Sequence, residues 1–506
     1  MSMEELAARK ARTRDDARPE AVAKRHAAGG RTARENLADL VDEGSFVEYG
    51  ALTVAAQEQR RDLAELMART PADGVVAGTA RVGGAACAVL AYDATVLAGT
   101  QGLRGHQKTD RLLHLVERLR IPVVFFAEGG GGRPGDTDVP VASALDVRTF
   151  ALWARLSGVV PRIAVVAGRC FAGNAVIAGA ADLIVATATA NLGMAGPAMI
   201  AGGGLGTFAP EEIGPIDVQT RNGVVDVAVA DEAEAVAVTK RLLGFFAGPV
   251  PPGPAADQAV LRGMVPERER TAYDVRPIVT TLADTGSVVL LRERFAPELV
   301  TALARIEGRP VGVIANHTRH AAGAITSDAA DKGARFLQLC DAYGFPVVSL
   351  VDTPGMMVGP EAEKTALVRH TSRLLVAGAR LRVPLVGVVL RRGYGLGAQA
   401  MLGGSTKEPV LTVAWPAAHL GPMGLEGAVR LGMRQELAAI EDPAERERTV
   451  RRLTEEYRER VEALNAARLF EIDDVIDPAD TRAIIAATLS ACPPSPPSPP
   501  RFVDTW

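Results

Sequence analysis

Short, nearly continuous apolar runs alternate along the chain with longer segments whose apolar residues recur at helical spacing. Strands that are apolar on both sides have to be covered on both faces, which is typical of sheets flanked by helices. The pattern therefore predicts an α/β fold. The apolar runs include ACAVLAYD, PVVFFAEG and IAVVAG in the first half, and VGVIANHT, PVVSLVDTPG and PLVGVVLR in the second half.

The two halves of the chain repeat one another. At an offset of 224 positions (346 − 122), the repeat places Pro346, Lys332 and Gly397 opposite Pro122, Lys108 and Gly173. The repeat predicts a duplicated α/β unit, with domains over residues 1–250 and 259–490 and a Pro-rich tail over 491–506. We predict a linker at Val250–Gln258, because consecutive prolines forbid a helix or a central strand.

Each copy ends in an apolar strand that leads through a glycine-rich turn into a helix of small residues. These segments are Ile163–Thr187 and Leu385–Gly404. The first N–H groups of a helix have no partner within it and can hold a negatively charged oxygen. Glycines at such turns also serve backbone shape or close packing alone. The repetition at one offset favours a function, and it predicts two oxyanion sites.

Composition and charge exclude several classes of protein. The chain has 506 residues, 48% of them hydrophobic, and a net charge of −4, which gives no electrostatic reason to expect nucleic acid or an anionic membrane as partner. Its four cysteines are scattered without a C-x-x-C pair, so we predict no metal site. The N-terminus is charged and lacks the apolar core of a signal peptide, which predicts a cytoplasmic protein.

Common reactive motifs are missing near the turns. The sequence has no G-x-S-x-G elbow, no P-loop lysine motif and no dinucleotide-binding glycine pattern at the expected spacing. Main-chain donors are then the remaining catalytic resource. They suit a thioester enolate, in which negative charge develops on the carbonyl oxygen.

Several longer stretches resemble a known family. They include RGHQKTDRLLHLVERLRIPVV, YDVRPIVTTLADTGSVVLL, DKGARFLQLCDAYGFPVVSLVDTPGMMVG and AWPAAHLGPMGLEGAV. In this order they are similar to the carboxyltransferase (β) subunits of biotin-dependent acyl-CoA carboxylases of the acetyl- and propionyl-CoA type. The resemblance covers nearly the whole chain.

This resemblance implies two tandem crotonase-like domains, the first for the acyl-CoA and the second for biotin. In the family, carboxybiotin releases CO2, the freed biotin nitrogen removes the α-proton of the acyl-CoA, and the enolate captures the CO2. Each active site forms between the N-domain of one subunit and the C-domain of its neighbour, so we expect a homo-oligomer, a hexamer. The chain has no A-M-K-M biotin attachment motif, and biotin is expected on a biotin carboxylase and carrier α-subunit.

The resemblance also assigns site residues by position. It gives catalytic oxyanion roles to Gly173, Asn174, Leu396 and Gly397. It places Ala172, Gly130, Gly131 and Lys108 on the acyl-CoA side. It places Tyr394, Gly395, Ala398 and Gln399 on the biotin side. Lys108 either meets the CoA phosphates or is simply solvated, and packing beside the turn is the favoured interpretation of Tyr394.

Departures from the family pattern concern the substrate. The loop Glu128–Asp136 replaces the usual serine- or threonine-glycine-alanine-arginine stretch, and Gln399 replaces a common aspartate. Asn174 stands where the family usually has a glycine. A longer or unusual acyl chain is consistent with these changes.

Three alternative functions stay open. A decarboxylase subunit would use the same site in reverse. A crotonase-type hydratase or isomerase would need positioned glutamates, for which Glu211, Glu212 and Glu426 are candidates. A noncatalytic scaffold for a carboxylase complex would be compatible with the altered loop.

Overall fold

A computed structural model describes residues 2–138, 145–493 and 499–506. The chain divides into two compact units, Met1–Ala247 with Pro500–Thr505, and Gly248–Pro499 with Trp506. Both units combine a mainly parallel sheet with helices, so the predicted α/β class is confirmed.

The first unit is built on a sheet of order β1-β2-β3-β4-β5-β7-β9, with β6 and β8 as a separate parallel pair. Its strands are β1 (Val47–Glu48), β2 (Val75–Val82), β3 (Ala85–Tyr92), β4 (Val123–Phe126), β5 (Arg162–Val166), β6 (Arg169–Phe171), β7 (Leu183–Thr187), β8 (Asn191–Gly193) and β9 (Val227–Val229). Its helices are α1 (Met3–Ala11), α2 (Pro19–Ala27), α3 (Ala33–Leu40), α4 (Leu63–Arg69), α5 (Leu103–Leu119), α6 (Thr149–Arg155), α7 (Gly173–Gly179), α8 (Pro197–Gly202), α9 (Ile216–Arg221) and α10 (Glu232–Phe246).

The second unit has a sheet of order β10-β11-β12-β13-β14-β15-β17, with β16 beside β14. Its strands are β10 (Val289–Leu291), β11 (Leu299–Ile306), β12 (Arg309–Asn316), β13 (Val347–Thr353), β14 (Leu385–Tyr394), β15 (Leu411–Ala414), β16 (His419–Gly421) and β17 (Asp474–Val475). Its helices are α11 (Arg276–Leu282), α12 (Ser327–Tyr343), α13 (Pro360–Glu363), α14 (Leu367–Ala379), α15 (Gly395–Met401), α16 (Leu425–Gly432), α17 (Arg434–Ala438), α18 (Pro443–Glu456), α19 (Arg458–Val461), α20 (Ala463–Arg468) and α21 (Thr481–Ala491).

The duplication extends to the register of whole elements. Strands β11, β12 and β13 begin 224 residues after β2, β3 and β4 (299 − 75, 309 − 85 and 347 − 123), and α12 begins 224 after α5 (327 − 103). Even a rare backbone conformation repeats, since Ala98 has φ of 55° and Ala322 has φ of 53°. Because a non-glycine residue seldom adopts a positive φ, the repeat preserves local geometry as well as element order.

Each unit has its own apolar core. In the first, Phe125 on β4 packs edge-to-face against both Tyr92 and Trp153, with ring centroids 5.8 Å away in each case. In the second, the buried Trp415 donates its indole N–H to Thr481 Oγ1 at 3.0 Å. These cores hold the sheets on which the glycine turns are built: the second turn follows β14 of the main sheet, and the first follows β6 of the separate strand pair.

The segment predicted as linker belongs to the second unit, and part of the predicted tail packs in the first unit. Val250–Gln258 lies in the second unit, where Val250 N–H donates to Gly308 O at 3.1 Å. Of the proline-rich tail, residues 494–498 lie outside the described residues. Val503 is buried in the first unit, and its N–H and C=O both bond to the Ser157 hydroxyl.

Within the described ranges, no helix has the length and apolar character needed to cross a membrane. The same ranges contain no group of three or more histidine, cysteine, aspartate or glutamate side chains placed to hold a metal ion.

Candidate active site

The first glycine turn joins β6 to α7. Ala172 precedes the helix with φ of 50° and ψ of −123°, an unusual conformation for a residue with a Cβ. Its N–H donates to Gly193 O at 3.2 Å and is therefore not available to a ligand. The N–H groups of Gly173 and Asn174 have no acceptor among the described residues. The turn thus presents two main-chain donors and not three.

The glycine loop that follows β4 packs directly on this turn. Gly131 N–H donates to the side-chain oxygen of Asn174 at 3.1 Å. A Cβ on Gly131 would lie 2.5 Å from the Cβ of Ala172, and its φ is 87°, so only glycine fits. The side chain of Asn174, a departure from the family pattern, therefore fastens the loop to the turn.

Sequence reasoning missed a further donor on this loop. Gln101 N–H donates to Gly131 O at 2.7 Å, and Arg133 N–H donates to Gln101 O at 2.9 Å. Gly132 lies between these two bonds, is exposed, and has an N–H without an acceptor in the described part of the chain. The run of four glycines in the sequence indicated an unusual loop. Only the packing of this loop on the turn shows which of the four glycines offers a free N–H there.

The second glycine turn joins β14 to α15. Gly395 has φ of 58°, and the N–H groups of Leu396 and Gly397 have no acceptor within the described ranges. A Cβ on Gly397 would lie 2.5 Å from the carbonyl carbon of Gly355 and 2.7 Å from its Cα. The loop after β13 thus packs against the second turn as the loop after β4 packs against the first.

The hydrogen bonds that frame the first loop recur in the second unit. Ile325 N–H donates to Gly355 O at 3.1 Å, and Met357 N–H donates to Ile325 O at 2.9 Å. Each residue lies 224 positions after its counterpart in the first unit (325 − 101, 355 − 131, 357 − 133). Met356 occupies the place of Gly132, and its N–H likewise has no described acceptor. We call this shared arrangement of loop and turn the loop–turn frame.

A carboxylate starts each loop, partly buried in the first and fully buried in the second. Glu128 forms a two-pronged ion pair with Arg25, at 2.7 Å for both bonds. Burial raises the pKa of the Glu128 carboxyl, and the Arg25 guanidinium opposes that rise. The fully buried Asp352 binds Arg391 at 3.0 Å and Arg392 at 2.6 Å. The carboxylate of Asp352 is therefore held by these two arginines.

The ammonium group of Lys108 points into the first unit. It is buried, and its Nζ donates to Ala72 O at 2.8 Å and to Val75 O. Both sequence-based interpretations of Lys108 are wrong, because this cage of carbonyls keeps the ammonium group inside the unit. Burial lowers its pKa to about 8. Lys332 repeats the arrangement, with Nζ 2.8 Å from Phe295 O and a pKa lowered by burial to about 7.

The remaining predicted residues gather around the second turn. Tyr394 is buried and its hydroxyl donates to Glu269 Oε1 at 2.9 Å; burial raises the pKa of this phenol. The hydroxyl is therefore engaged, in agreement with a packing role. Ala398 is buried behind the turn, while the side chain of Gln399 is exposed. On the first loop, Gly130 is exposed beside the buried Gly131.

The glutamates considered for hydratase chemistry are already occupied. Glu211 is exposed and pairs with Arg169 at 2.6 Å. Glu212 accepts from Ala209 N–H at 2.7 Å, and Glu426 pairs with Arg270 at 2.7 Å. None of these contacts resembles an acid and base pair aimed at a shared reacting atom.

Comparisons with known proteins agree over almost the whole chain. A family model described as the carboxyl transferase domain matches residues 24–496. The methylmalonyl-CoA carboxyltransferase 12S subunit of Propionibacterium freudenreichii subsp. shermanii is 34% identical over 483 residues, covering 92% of this chain and 90% of that protein. The biotin-dependent long chain acyl-coenzyme A carboxylase beta4 subunit of Mycobacterium tuberculosis is 32% identical over 493 residues, covering 93% and 90%.

Solved structures give the same result. A single-chain, multi-domain long-chain acyl-CoA carboxylase superposes with a TM-score of 0.91 at 55% identity, over 96% of this chain and 48% of that chain. This chain therefore spans about half the length of that protein. The transcarboxylase 12S crystal structure, a hexamer assembly with methylmalonyl-coenzyme A and methylmalonic acid bound, superposes with a TM-score of 0.85 at 31% identity, over 97% and 96%.

Proposed function

The chain belongs to the carboxyl transferase family, and from that premise we propose that it carries a carboxyl group from carboxybiotin to the α-carbon of an acyl-CoA. The observation that carries the proposal is the loop–turn frame, which occurs twice. Each copy leaves main-chain N–H groups without an acceptor among the described residues. Its two relatives named above are a methylmalonyl-CoA carboxyltransferase subunit and a biotin-dependent carboxylase subunit.

In the first unit, the donors act on the thioester oxygen. The N–H groups of Gly173 and Asn174, with that of Gly132 on the facing loop, polarise the carbonyl and stabilise the enolate oxygen that forms when the α-proton leaves. These donors are fixed by the backbone, so they need no reorganisation as the charge develops. The loss of one such donor typically costs about 3–4 kcal/mol of transition-state stabilisation.

In the second unit, the donors suit the ureido oxygen of biotin. Leu396 and Gly397 offer N–H groups on a turn where the Leu396 side chain is exposed, and a carbonyl-type acceptor is what two such groups bind. Carboxybiotin supplies the carboxyl group and, once CO2 has left, the nitrogen base for the α-proton. The chain itself then needs only to bind, orient and polarise the two reactants.

The acyl group is proposed to be long. Support comes from the long-chain acyl-CoA carboxylases among the similar proteins, one of them 55% identical. The segment after β8, residues 194–209, has no charged side chain, and it exposes Met194, Met199 and Leu205. Gly193, just before it, accepts the Ala172 N–H, so this apolar surface adjoins the first turn. Methionine side chains adapt well to flexible alkyl chains.

The proposed working form is an oligomer of tandem crotonase-like domains. The proposed domains, residues 1–250 and 259–490, lie close to the main segments of the two compact units, Met1–Ala247 and Gly248–Pro499. The transcarboxylase 12S relative is a hexamer assembly. Biotin arrives on the carrier of a biotin carboxylase α-subunit, because tethering raises the local concentration of a weak ligand. In this arrangement the acyl-CoA side of one subunit meets the biotin side of its neighbour.

The proposal is tested with purified chain, a biotinylated carrier subunit with its carboxylase, ATP, labelled bicarbonate and acyl-CoAs of increasing chain length. We expect label in the acyl-CoA fraction, with the highest kcat/KM for long chains. If an active carrier labels no acyl-CoA, the scaffold alternative is favoured instead. Biotin-independent hydration of an enoyl-CoA would favour the hydratase, and net transfer only from carboxyacyl-CoA to biotin would favour the decarboxylase.

A further inference from the structure

A cleft rich in arginine lies beside the glycine loop of the first unit. Its volume is about 240 Å³, and its walls include Gln57, Thr70, Thr100 and Gly135. Four arginines also line it: Arg60, Arg61, Arg69 and Arg133. Such a concentration of guanidinium groups is typical of a site for an anion.

The carboxylates near the cleft neutralise only part of this charge. Glu65 serves two arginines at once, binding Arg69 at 2.9 Å and also Arg61. Arg60 is exposed, and among the described residues its side chain has neither an ion-pair nor a hydrogen-bond partner. The cleft is therefore lined by one arginine without a counter-charge in the described part of the chain, Arg60, and by two arginines that share the single carboxylate of Glu65.

Arg133 is different, because it is part of the scaffold. Its guanidinium is buried between Asp73 and Asp136, and it donates to Thr100 O at 2.9 Å. This side chain fixes the wall of the cleft and is not free to move toward a ligand. Arg60, Arg61 and Arg69 are therefore the arginines of the cleft that are placed to bind a ligand.

The cleft is attached to the loop that packs on the first turn. Asp138 N–H donates to Ala56 O at 3.0 Å, which ties the segment carrying the arginines to the end of the loop. Gly135 on the loop leaves room for Arg60, since a Cβ there would lie 2.8 Å from the guanidinium Nη2. The cleft and the first turn thus both contact the glycine loop.

We propose that Arg60, Arg61 and Arg69 bind phosphate groups of the CoA moiety. This inference rests on the proposed function, which gives the first unit an acyl-CoA as ligand. CoA carries its phosphates at the far end of a long arm from the thioester, so a second, cationic site on the same loop fits its chemistry. Guanidinium groups bind phosphate oxygens in a two-pronged manner.

Calorimetry with free CoA tests the cleft without any carrier protein. Arg60→Ala and Arg69→Ala are each expected to raise the Kd for CoA about tenfold. Arg60→Lys, which keeps the charge but loses the planar fork, should give a smaller rise. The matched control is Arg221→Ala, at an exposed ion pair on α9, and it should leave the Kd unchanged. Equal CoA affinity in wild type and both alanine variants would overturn the proposal.

Dephospho-CoA, which lacks the 3′-phosphate, distinguishes the two phosphate sources. If the 3′-phosphate is bound, dephospho-CoA binds wild type about as weakly as CoA binds Arg60→Ala. If the pyrophosphate is bound, the substitutions weaken CoA and dephospho-CoA alike. Either pattern supports the cleft, whereas arginine variants that change the affinity for neither compound contradict it.

The test also separates this inference from the proposed function. Tight CoA binding that depends on Arg60, together with no carboxyl transfer to any acyl-CoA, would keep the cleft and reject the reaction. Carboxyl transfer by Arg60→Ala and Arg69→Ala with unchanged KM for acyl-CoA would keep the reaction and reject the cleft.

Discussion

The two units share one backbone frame but support it in different ways. In the first, Glu128 at the start of the loop is held by Arg25, which lies 103 positions earlier on α2. In the second, Asp352 is held by Arg391 and Arg392 on the adjacent strand β14. Duplication thus preserved the main-chain geometry, while the side chains that hold it diverged. This is expected if the main-chain donors carry the chemistry.

The surfaces beside the two turns differ as well. The segment after β8 has no charge and exposes methionines, whereas α16, after β16, carries Glu426 and Arg430 as an ion pair at 3.0 Å. One turn therefore faces apolar surroundings and the other charged ones. Two copies of the loop–turn frame in different surroundings are suited to two different reactants.

The largest expected effect concerns the two carboxylates that start the loops. Asp352→Asn leaves Arg391 and Arg392 without a buried counter-charge, so we expect a loss of about 3–5 kcal/mol in the free energy of unfolding. Glu128→Gln should cost less, about 1–2 kcal/mol, because Arg25 keeps its contact with Glu232 at 3.3 Å and is partly solvated. Urea unfolding of both variants measures the difference. Equal losses would show that the two supports are equivalent.

A second prediction concerns catalysis at the first turn. Gly173→Ala would bring a methyl group against Gln101 Oε1 and within 3.1 Å of Phe150, and so displace the turn. We expect the rate of labelled carboxyl transfer to fall roughly hundredfold. Gly179→Ala, at the other end of α7, meets open space and serves as the control. A comparable fall in the control would mean that any change in this helix disturbs activity.

The buried lysines give a prediction on pH. Burial lowers the pKa of Lys332 from 10.5 to about 7, so between these values the unfolded chain binds a proton that the folded chain lacks. The stability of wild type relative to Lys332→Met should therefore rise as the pH increases from about 7 to 10.5, and stay constant below 7. Urea unfolding across this range measures the difference in the free energy of unfolding. Lys364→Met, at an exposed lysine, is the control. A difference that is independent of pH would contradict the burial of a titrating lysine.

The smallest expected effect is on chain length at the second turn. Gln399 is exposed just after the donors, at a position where the family resemblance of the sequence leads us to expect aspartate. Gln399→Asp should shift kcat/KM toward short acyl-CoAs by a few fold, of the order of 1 kcal/mol. Competition between a short and a long acyl-CoA in one reaction measures the shift. An unchanged ratio would assign chain-length selection to the first unit alone.

The α/β class could be predicted from the sequence because it follows from hydrophobic periodicity. The repeat could be predicted because matching residues recur at a constant offset. It did not reach Gly132 or Met356, whose role depends on which loop packs on which turn. It also failed for Lys108, because a buried lysine caged by carbonyls cannot be told from a solvated one by sequence alone. Long-range ion pairs such as Arg25 with Glu128 are invisible for the same reason.

The central claim is that main-chain N–H groups at the two turns stabilise the negative charge that develops on the reactants' oxygens during carboxyl transfer. Removing one of these N–H groups tests the claim most directly. Leucic acid in place of Leu396 turns that amide into an ester and leaves the side chain intact. Leu367 is the control, as the first residue of α14 with an N–H that also lacks an acceptor in the part of the chain described by the structure. We predict that the ester at 396 lowers the single-turnover rate of carboxyl transfer by roughly 10²–10³, with CoA affinity unchanged and the Leu367 ester active. A rate within about twofold of wild type at 396 would contradict the account.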